Sequence, residues 1–89
     1  MRLRVSRAVR DKIWQKHEVR LYEVLEAISD PRLILRIERD ETDGRIYVAV
    51  GKTEAGRLLR VVYIRKKNGD WLMTALDAYS RDRKLYTRK

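Results

Sequence analysis

The sequence predicts an α+β fold, with two N-terminal helices packed on a four-stranded antiparallel sheet and a short C-terminal helix. Apolar residues recur at helical spacing before residue 31 and alternate with polar residues from 33 to 77. Turn signals separate the alternating segments, and helices that precede hairpin-linked strands are typical of this class. The 89 residues suffice for a single domain, 1–89.

Two helices are predicted in the first third of the chain. Ser6 is suited to cap the first helix, which ends near His17; its apolar positions are Val9, Ile13 and His17. The stripe of the second helix is formed by Leu21, Val24, Leu25 and Ile28. Asp30-Pro31 ends it, because a residue before proline avoids the helical conformation.

Four strands and a last helix are predicted next. The strands are expected at Leu33 to Ile37, Ile46 to Val50, Leu58 to Lys66 and Trp71 to Asp77. Asn68-Gly69 predicts a type I′ hairpin turn, and five-residue segments at 40–44 and 52–56 provide the other connections. Ser80 is then suited to cap a basic helix with Asp82 in its first turn.

The turns predict which residues share a face of the sheet. The expected pairs include Tyr63 with Thr74, Arg45 with Tyr63, and Arg60 with Asp77 as an ion pair. The predicted core face, under the first two helices, holds Leu33, Leu35, Ile37, Ile46, Val48, Val50, Leu58, Val62, Ile64, Met73 and Ala75. The opposite face holds Arg36, Arg45, Tyr47, Tyr63, Arg65 and Thr74, with Leu59, Val61 and Leu76 at its other end.

This second face is the predicted functional surface. Arginine forks bind phosphates and tyrosine rings stack on unpaired bases, so the mixture is typical of RNA recognition. We expect the C-terminal helix to cover only the apolar end of the face. The alternative is that this helix covers the whole face through Leu85 and leaves the tyrosines half-buried.

Net charge and composition indicate the class of partner. Lys and Arg number 22 against 13 acidic residues, a formal charge of +9, which favours nucleic acid first and anionic membrane second. The alternative is an interaction or scaffold protein whose charge only aids solubility. The sequence lacks cysteine, a transmembrane-length apolar run and a signal-peptide pattern, so a cytoplasmic location without membrane attachment is expected.

Candidate catalytic groups are few. His17, the single histidine, is either a core residue at the end of a helix or one of two proton-transfer groups. Tyr63 is expected to lie beside Arg45 and Arg65, which would shift its pKa and carry charge on a phosphate. The acidic residues at 40, 41 and 43 form a turn, and neither a metal-binding histidine cluster nor a cofactor motif is present, so neither metal nor cofactor is expected.

Several short motifs resemble those of the BrnT toxins, from about residue 9 to residue 87. They are Lys16-His17-Glu18-Val19, Glu23-Val24-Leu25-Glu26-Ala27, Asp30-Pro31, Gly44-Arg45-Ile46-Tyr47, Gly51-Lys52-Thr53-Glu54-Ala55-Gly56-Arg57, Val61-Val62-Tyr63, Asn68-Gly69-Asp70, Thr74-Ala75 and Arg83-Lys84-Leu85-Tyr86. The sequence departs from the family pattern at Leu76, where relatives usually carry an arginine, and lacks the family's opening aromatic-Asp segment.

The resemblance implies a RelE-like fold and the toxin of a type II toxin–antitoxin system. Such a toxin is an endoribonuclease that cleaves RNA without metal by attack of the 2′-hydroxyl, and a cognate antitoxin inhibits it and supplies operator DNA binding. The expected catalytic residues are His17, Arg57, Tyr63 and Arg65, where His17 and Arg57 match family positions. The expected RNA-binding residues are Arg36, Arg45, Tyr47, Lys52, Arg60, Arg81, Lys84 and Tyr86. A non-catalytic RNA-binding module on the same scaffold is the alternative.

Overall fold

The computed structural model describes residues 2–88 and has the predicted α+β class. Its helices are α1 (Arg7–His17), α2 (Leu21–Ile28) and α3 (Ser80–Arg88). Its strands are β1 (Leu3–Arg4), β2 (Ile34–Glu41), β3 (Gly44–Lys52), β4 (Leu58–Lys66) and β5 (Gly69–Asp77). They form one sheet in the order β1-β5-β4-β3-β2, in which β1 runs parallel to β5 and the other pairs are antiparallel.

The helix ends follow from local hydrogen bonding. The Ser6 hydroxyl accepts the Val9 N–H at 3.2 Å and caps α1, as predicted. Glu18 ends α1 in the left-handed region at φ 52°, and Val19 N–H bonds to the Ile13 carbonyl at 3.1 Å in the manner of a Schellman motif. In α3 the expected cap is displaced, because Ser80 is already helical and Asp82 accepts the Tyr79 N–H at 2.9 Å.

Strand β1 was not predicted, and it makes the sheet mixed rather than purely antiparallel. It has only two residues, which pair with Asp70 and Trp71 of β5. A strand of two residues is too short to show the alternation of apolar and polar residues, and β1 is extended where it pairs with β5. The sequence expectation of four antiparallel strands was therefore one strand short.

Hairpin registers differ from the predicted ones. Lys66 pairs with Gly69, so residues 67 and 68 form the β4–β5 loop and only Gly69 takes a positive φ, at 126°. The type I′ turn centred on Asn68-Gly69 was therefore wrong. A bulge after Val62 shifts the register again, so Tyr63 pairs with Leu72 rather than Thr74, and Lys12 Nζ donates to the Met73 carbonyl at 2.8 Å.

The assignment of the two sheet faces was inverted for β3 and β4. Helices α1 and α2 pack on the face formed by Tyr47, Ala49, Leu59, Val61, Tyr63, Leu72 and Ala75, which we call the α1/α2 face. A side chain at Gly51 would collide with the Ala27 carbonyl of α2, so the helix requires a glycine at this position. Small residues at 49, 51 and 75 let the helices approach closely, whereas both faces of β4 are apolar and their alternation does not distinguish them.

The opposite face, which we call the α3 face, carries part of the set predicted to form the core, whereas Leu33 and Ala75 of that set pack under α1 and α2 as predicted. Val48, Val50 and Leu58 cluster with Tyr86 of α3, and Ile34 and Val62 pack beside them. Leu35 and Ile37 were also placed in the core but are about half exposed, at 47% and 55%, because they lie on the edge strand β2. The sheet is therefore covered on both faces.

Candidate nucleic-acid interface

A groove of about 430 Å³ opens at the C-terminal end of α1. It is lined by Lys16, His17, Glu18, Arg57, Leu76 and Asp77. Three separate segments contribute: the C-terminal end of α1, the loop before β4 and the end of β5. The groove thus unites two residues expected to be catalytic with Leu76, the position that departs from the family pattern.

Arg57 lines this groove and connects the elements that form it. Its Nε donates to Asp77 at 2.7 Å, and its Nη2 donates to Asp77 at 3.3 Å and to the His17 carbonyl at 3.0 Å. Its Nη1 donates to the Glu18 carbonyl at 2.9 Å and to both Glu23 oxygens at 3.3 Å. All three guanidinium nitrogens are engaged, so Arg57 holds the α1–α2 corner and the end of β5 together.

The loop before β4 aims Arg57 at this corner. Thr53 accepts the Arg57 N–H through its hydroxyl at 3.0 Å and donates its own N–H to the Arg57 carbonyl at 2.8 Å. Gly56, at φ 93°, closes the loop in a conformation that favours glycine. The segment from Gly51 to Arg57, which resembles a BrnT motif, therefore has a structural function: it places the Arg57 guanidinium at the end of α1.

The charges of the groove are coupled. The hydrogen bond from Arg57 lowers the pKa of Asp77, against a smaller opposing effect of burial, and the charges of Arg83 and His17 act in the same direction. Pairing with Asp77 and Glu23 raises the pKa of Arg57. His17 lines the groove, half-buried, and is absent from the buried core of the described residues.

The predicted arginine–tyrosine surface is only partly present. Arg45 and Arg65 are cross-strand neighbours on exposed ends of β3 and β4. Arg45 pairs with Asp40 at 2.6 Å, Arg65 pairs with Asp70 at 2.8 Å, and the Arg65 guanidinium lies 5.0 Å from the Tyr47 ring centre. The two carboxylates in the row Asp40–Arg45–Arg65–Asp70 therefore neutralise the charges of its two arginines.

Tyr63 is inaccessible, which contradicts its expected role as an acid at the surface. Its side chain is fully buried beneath the first two helices and stacks on Tyr47 with ring centres 5.2 Å apart. Burial raises its pKa, although the charge of Arg65 opposes the shift. Its hydroxyl has no hydrogen-bond partner among the described residues. The stacked pair is a core feature and not a base-binding platform.

Arg36 and Arg60 lie on the α3 face, away from the tyrosines with which Arg36 was grouped. Arg36 pairs in register with Val48, so it faces opposite to Tyr47. Arg60 is buried and pairs with Asp82 of α3 at 2.8 Å, not with Asp77, because Leu76 is its partner in the register. These arginines anchor α3.

The remaining predicted RNA-binding residues divide into two groups. Tyr86 is buried, donates its hydroxyl to Asp30 at 2.6 Å, and has Lys52 Nζ 5.5 Å from its ring centre. Tyr86 therefore docks α3 rather than facing solvent. Lys52, Arg81 and Lys84 are exposed, so these three have the accessibility that a phosphate clamp requires.

Sequence reasoning missed a second, larger groove between α1 and the start of α2. It measures about 790 Å³ and is lined by Val5, Arg7, Arg10, Asp11, Trp14, Val19, Arg20, Leu21 and Tyr22. The signal was present in the spacing of residues 7, 10, 11 and 14, which share one face of a helix.

Comparisons with known proteins leave the family resemblance without independent support. No family model matches the sequence, and no curated protein matches it. Within residues 2–88, the helices are too short or too polar to span a membrane, and His, Asp and Glu side chains do not gather in groups of three or more that could hold a metal ion.

Proposed function

We infer that this chain is an RNA-binding toxin-type endoribonuclease whose reaction centre is the groove of His17. The observation that carries the proposal is the meeting of His17, Arg57 and Leu76 in one open groove on a protein of charge +9. These residues are far apart in the sequence and were singled out by the resemblance to BrnT toxins. A RelE-like fold belongs to the same proposal.

The proposed reaction needs few groups. His17 takes the proton of a ribose 2′-hydroxyl, whose oxygen forms a bond to the adjacent phosphorus while the bond to the 5′-oxygen breaks. The leaving 5′-oxygen takes a proton from water, which gives a 2′,3′-cyclic phosphate and a 5′-hydroxyl end. Lys16, at the groove wall, stabilises the charge that develops on the phosphate. Arg57 is a positioning residue in this scheme, because its donors are already engaged.

The proposed partner is a cognate antitoxin that inhibits the enzyme and contributes operator DNA binding, in the cytoplasm. This part of the proposal rests on the family resemblance. A reading frame next to this gene that encodes a small protein with a DNA-binding signature would support it. Co-expression should then restore growth that the chain alone suppresses.

The test is purified protein incubated with single-stranded RNA, with and without a chelator. Cleavage should survive chelation and yield cyclic phosphate ends. His17→Gln should slow it by about 100-fold or more, the range of a general base. Gln15→Ala, exposed on the same helix but outside the groove, is the matched control and should leave the rate unchanged.

The alternative proposal is a non-catalytic RNA-binding module. Leu76 favours it, because an apolar side chain lines the groove where the BrnT toxins that the chain resembles usually carry an arginine. This alternative expects RNA binding that weakens with salt, no product, and equal binding by His17→Gln and the unchanged protein. Cleavage that His17→Gln abolishes would exclude it.

A further inference from the structure

The groove between α1 and the start of α2 combines exposed aromatic rings with arginines. Trp14 is 41% exposed and Tyr22 is 62% exposed, so both rings are accessible to a ligand. The Arg20 guanidinium lies 3.6 Å from the Trp14 ring centre. A planar group therefore already stacks on this ring, held by an exposed and exchangeable side chain.

The charge of the groove suits a polyanion. Arg7, Arg10 and Arg20 are exposed, and none of them forms an ion pair with a carboxylate of residues 2–88. Asp11 is the one carboxylate among the residues that line the groove. These arginines differ from Arg45 and Arg65, whose charges are matched by carboxylates on the same row of the sheet.

The corner between α1 and α2 brings this groove next to the His17 groove. Trp14 and His17 are three residues apart on α1, and side chains at that spacing are neighbours on a helix surface. The left-handed residue Glu18 turns the chain so that His17 and Glu18 line one groove while Val19 and Arg20 line the other. A single polynucleotide strand that lies across the corner contacts both grooves.

We propose that the Trp14 groove is a base-stacking subsite for single-stranded RNA, which holds a nucleotide flanking the one placed at His17. An unpaired base stacks on Trp14, with Tyr22 as a second platform, and the flanking phosphates contact Arg7 and Arg10. Arg20 leaves the ring for a phosphate when the base arrives. This inference rests on the proposed RNA-binding function and adds a site to it.

The pattern favours nucleic acid over an acidic peptide. Rings beside arginines match the alternation of planar base and charged phosphate along a strand. Acidic side chains would pair with the arginines and leave both ring faces exposed, which loses the stacking contribution. An acidic peptide is therefore the competing ligand in the test.

The chain has two tryptophans, Trp14 and Trp71, which permits a direct test by fluorescence. In Trp71→Phe all tryptophan emission comes from Trp14, and in Trp14→Phe it comes from Trp71. The ligand is 2′-O-methyl oligoadenylate, which resists cleavage by 2′-hydroxyl attack. Its binding to both variants is followed in parallel by anisotropy of a label on the oligonucleotide.

Quenching of Trp14, saturating at the concentration at which anisotropy saturates, is the expected result, with Trp71 emission unchanged. An abasic oligomer and poly-glutamate should bind without this quenching. In the protein that keeps both tryptophans, Tyr22→Leu should weaken oligoadenylate binding about fivefold or more, at the low end for one stacked base. Tyr79→Leu, an exposed tyrosine of the α3 region, should not weaken it.

Each of the remaining outcomes contradicts either the stacking subsite or the proposed RNA-binding function. Binding by anisotropy with unchanged Trp14 emission overturns the stacking subsite and leaves the proposed RNA-binding function intact. Equal quenching by the abasic oligomer or by poly-glutamate also overturns the subsite, because no base is then required. Absence of any oligonucleotide binding overturns the proposed function, and this inference with it.

Discussion

Arg57 shows how much one side chain organises in this protein. Its guanidinium connects the carbonyls at the end of α1, the Glu23 carboxylate of α2 and the Asp77 carboxylate of β5. Glu23 in turn accepts the Arg20 N–H at 2.9 Å, so the same cluster begins α2. The cluster also holds Glu18 in a left-handed conformation that costs a residue with a side chain about 1–2 kcal/mol.

Replacement of Arg57 by lysine should be disruptive although it conserves charge. A lysine has one compact donor group and cannot reach acceptors on three elements, so the partly buried Glu23 carboxylate and His17 carbonyl lose their partner. We expect a loss of about 2–3 kcal/mol in the free energy of unfolding, measured by urea denaturation. The control is Arg39→Lys, since the exposed pair of Arg39 with Glu41 should be worth less than about 0.5 kcal/mol. Equal losses in both variants would mean that the Arg57 contacts contribute no more than a surface pair.

At the scale of elements, α3 is attached by polar anchors as well as by apolar packing. The buried pair of Arg60 and Asp82 fixes its first turn, and the Tyr86 hydroxyl bonds to Asp30 near its end. Asp30 also accepts the N–H groups of Arg32 and Lys52, at 2.9 Å and 2.8 Å. One carboxylate therefore links the α2–β2 connection, β3 and α3.

The anchor of Tyr86 on Asp30 should make stability depend on pH at both extremes. Burial raises the pKa of Asp30, but the hydrogen bonds from Tyr86, Arg32 and Lys52 outweigh it and the net shift is downward from 3.8. The contribution of Asp30 is therefore present above pH 3.8 and lost as the pH falls through the lowered pKa. The bond to Asp30 raises the pKa of Tyr86 above 10.0, so its contribution is complete below pH 10.0 and lost as the pH rises through the raised pKa.

Tyr86→Phe should therefore cost about 1–2 kcal/mol at neutral pH, as expected for a hydrogen bond to a carboxylate. Urea denaturation at a series of pH values should show the two proteins converging in strong acid and in strong alkali. Tyr22→Phe is the control, because its exposed ring makes the hydroxyl dispensable for stability. A difference between Tyr86→Phe and the unchanged protein that is constant with pH would contradict the assignment.

The elements themselves were largely predictable, but their assembly was not. Periodicity located α1, α2 and β4 to within a residue, because each carries its own cap, stop or alternation. The side of the sheet on which α1 and α2 pack was predicted wrongly, since Val48 and Val61 are equally apolar and face opposite ways. Gly51 distinguishes the two faces, because the face on which it lies is the one that lets the backbone of α2 approach the sheet closely. For this reason Tyr63, which was predicted to lie at the surface, is in the core.

At the scale of the whole molecule, the distribution of charge matters more than its total. Arg45, Arg60 and Arg65 each form an ion pair with a carboxylate. The net charge of +9 therefore comes from basic residues on other surfaces. The exposed arginines of α1 and the basic residues of α3 are among those without such partners in residues 2–88. The sequence predicted a polyanion partner from the total, but pairing in three dimensions decides which surface attracts it.

The salt dependence of RNA binding measures this distribution. Each phosphate neutralised on a single strand contributes about −0.7 to the slope of log affinity against log salt. Arg10→Gln should therefore reduce the magnitude of the slope by about 0.7, because its charge is available to a phosphate. Arg45→Gln removes the same formal charge but should change the slope far less, since Asp40 already neutralises Arg45 at 2.6 Å. Anisotropy titrations of both variants at several salt concentrations give the slopes directly. If Arg45→Gln reduced the slope and Arg10→Gln left it unchanged, the strand would cross the exposed end of the sheet, and the path over the α1–α2 corner would be wrong.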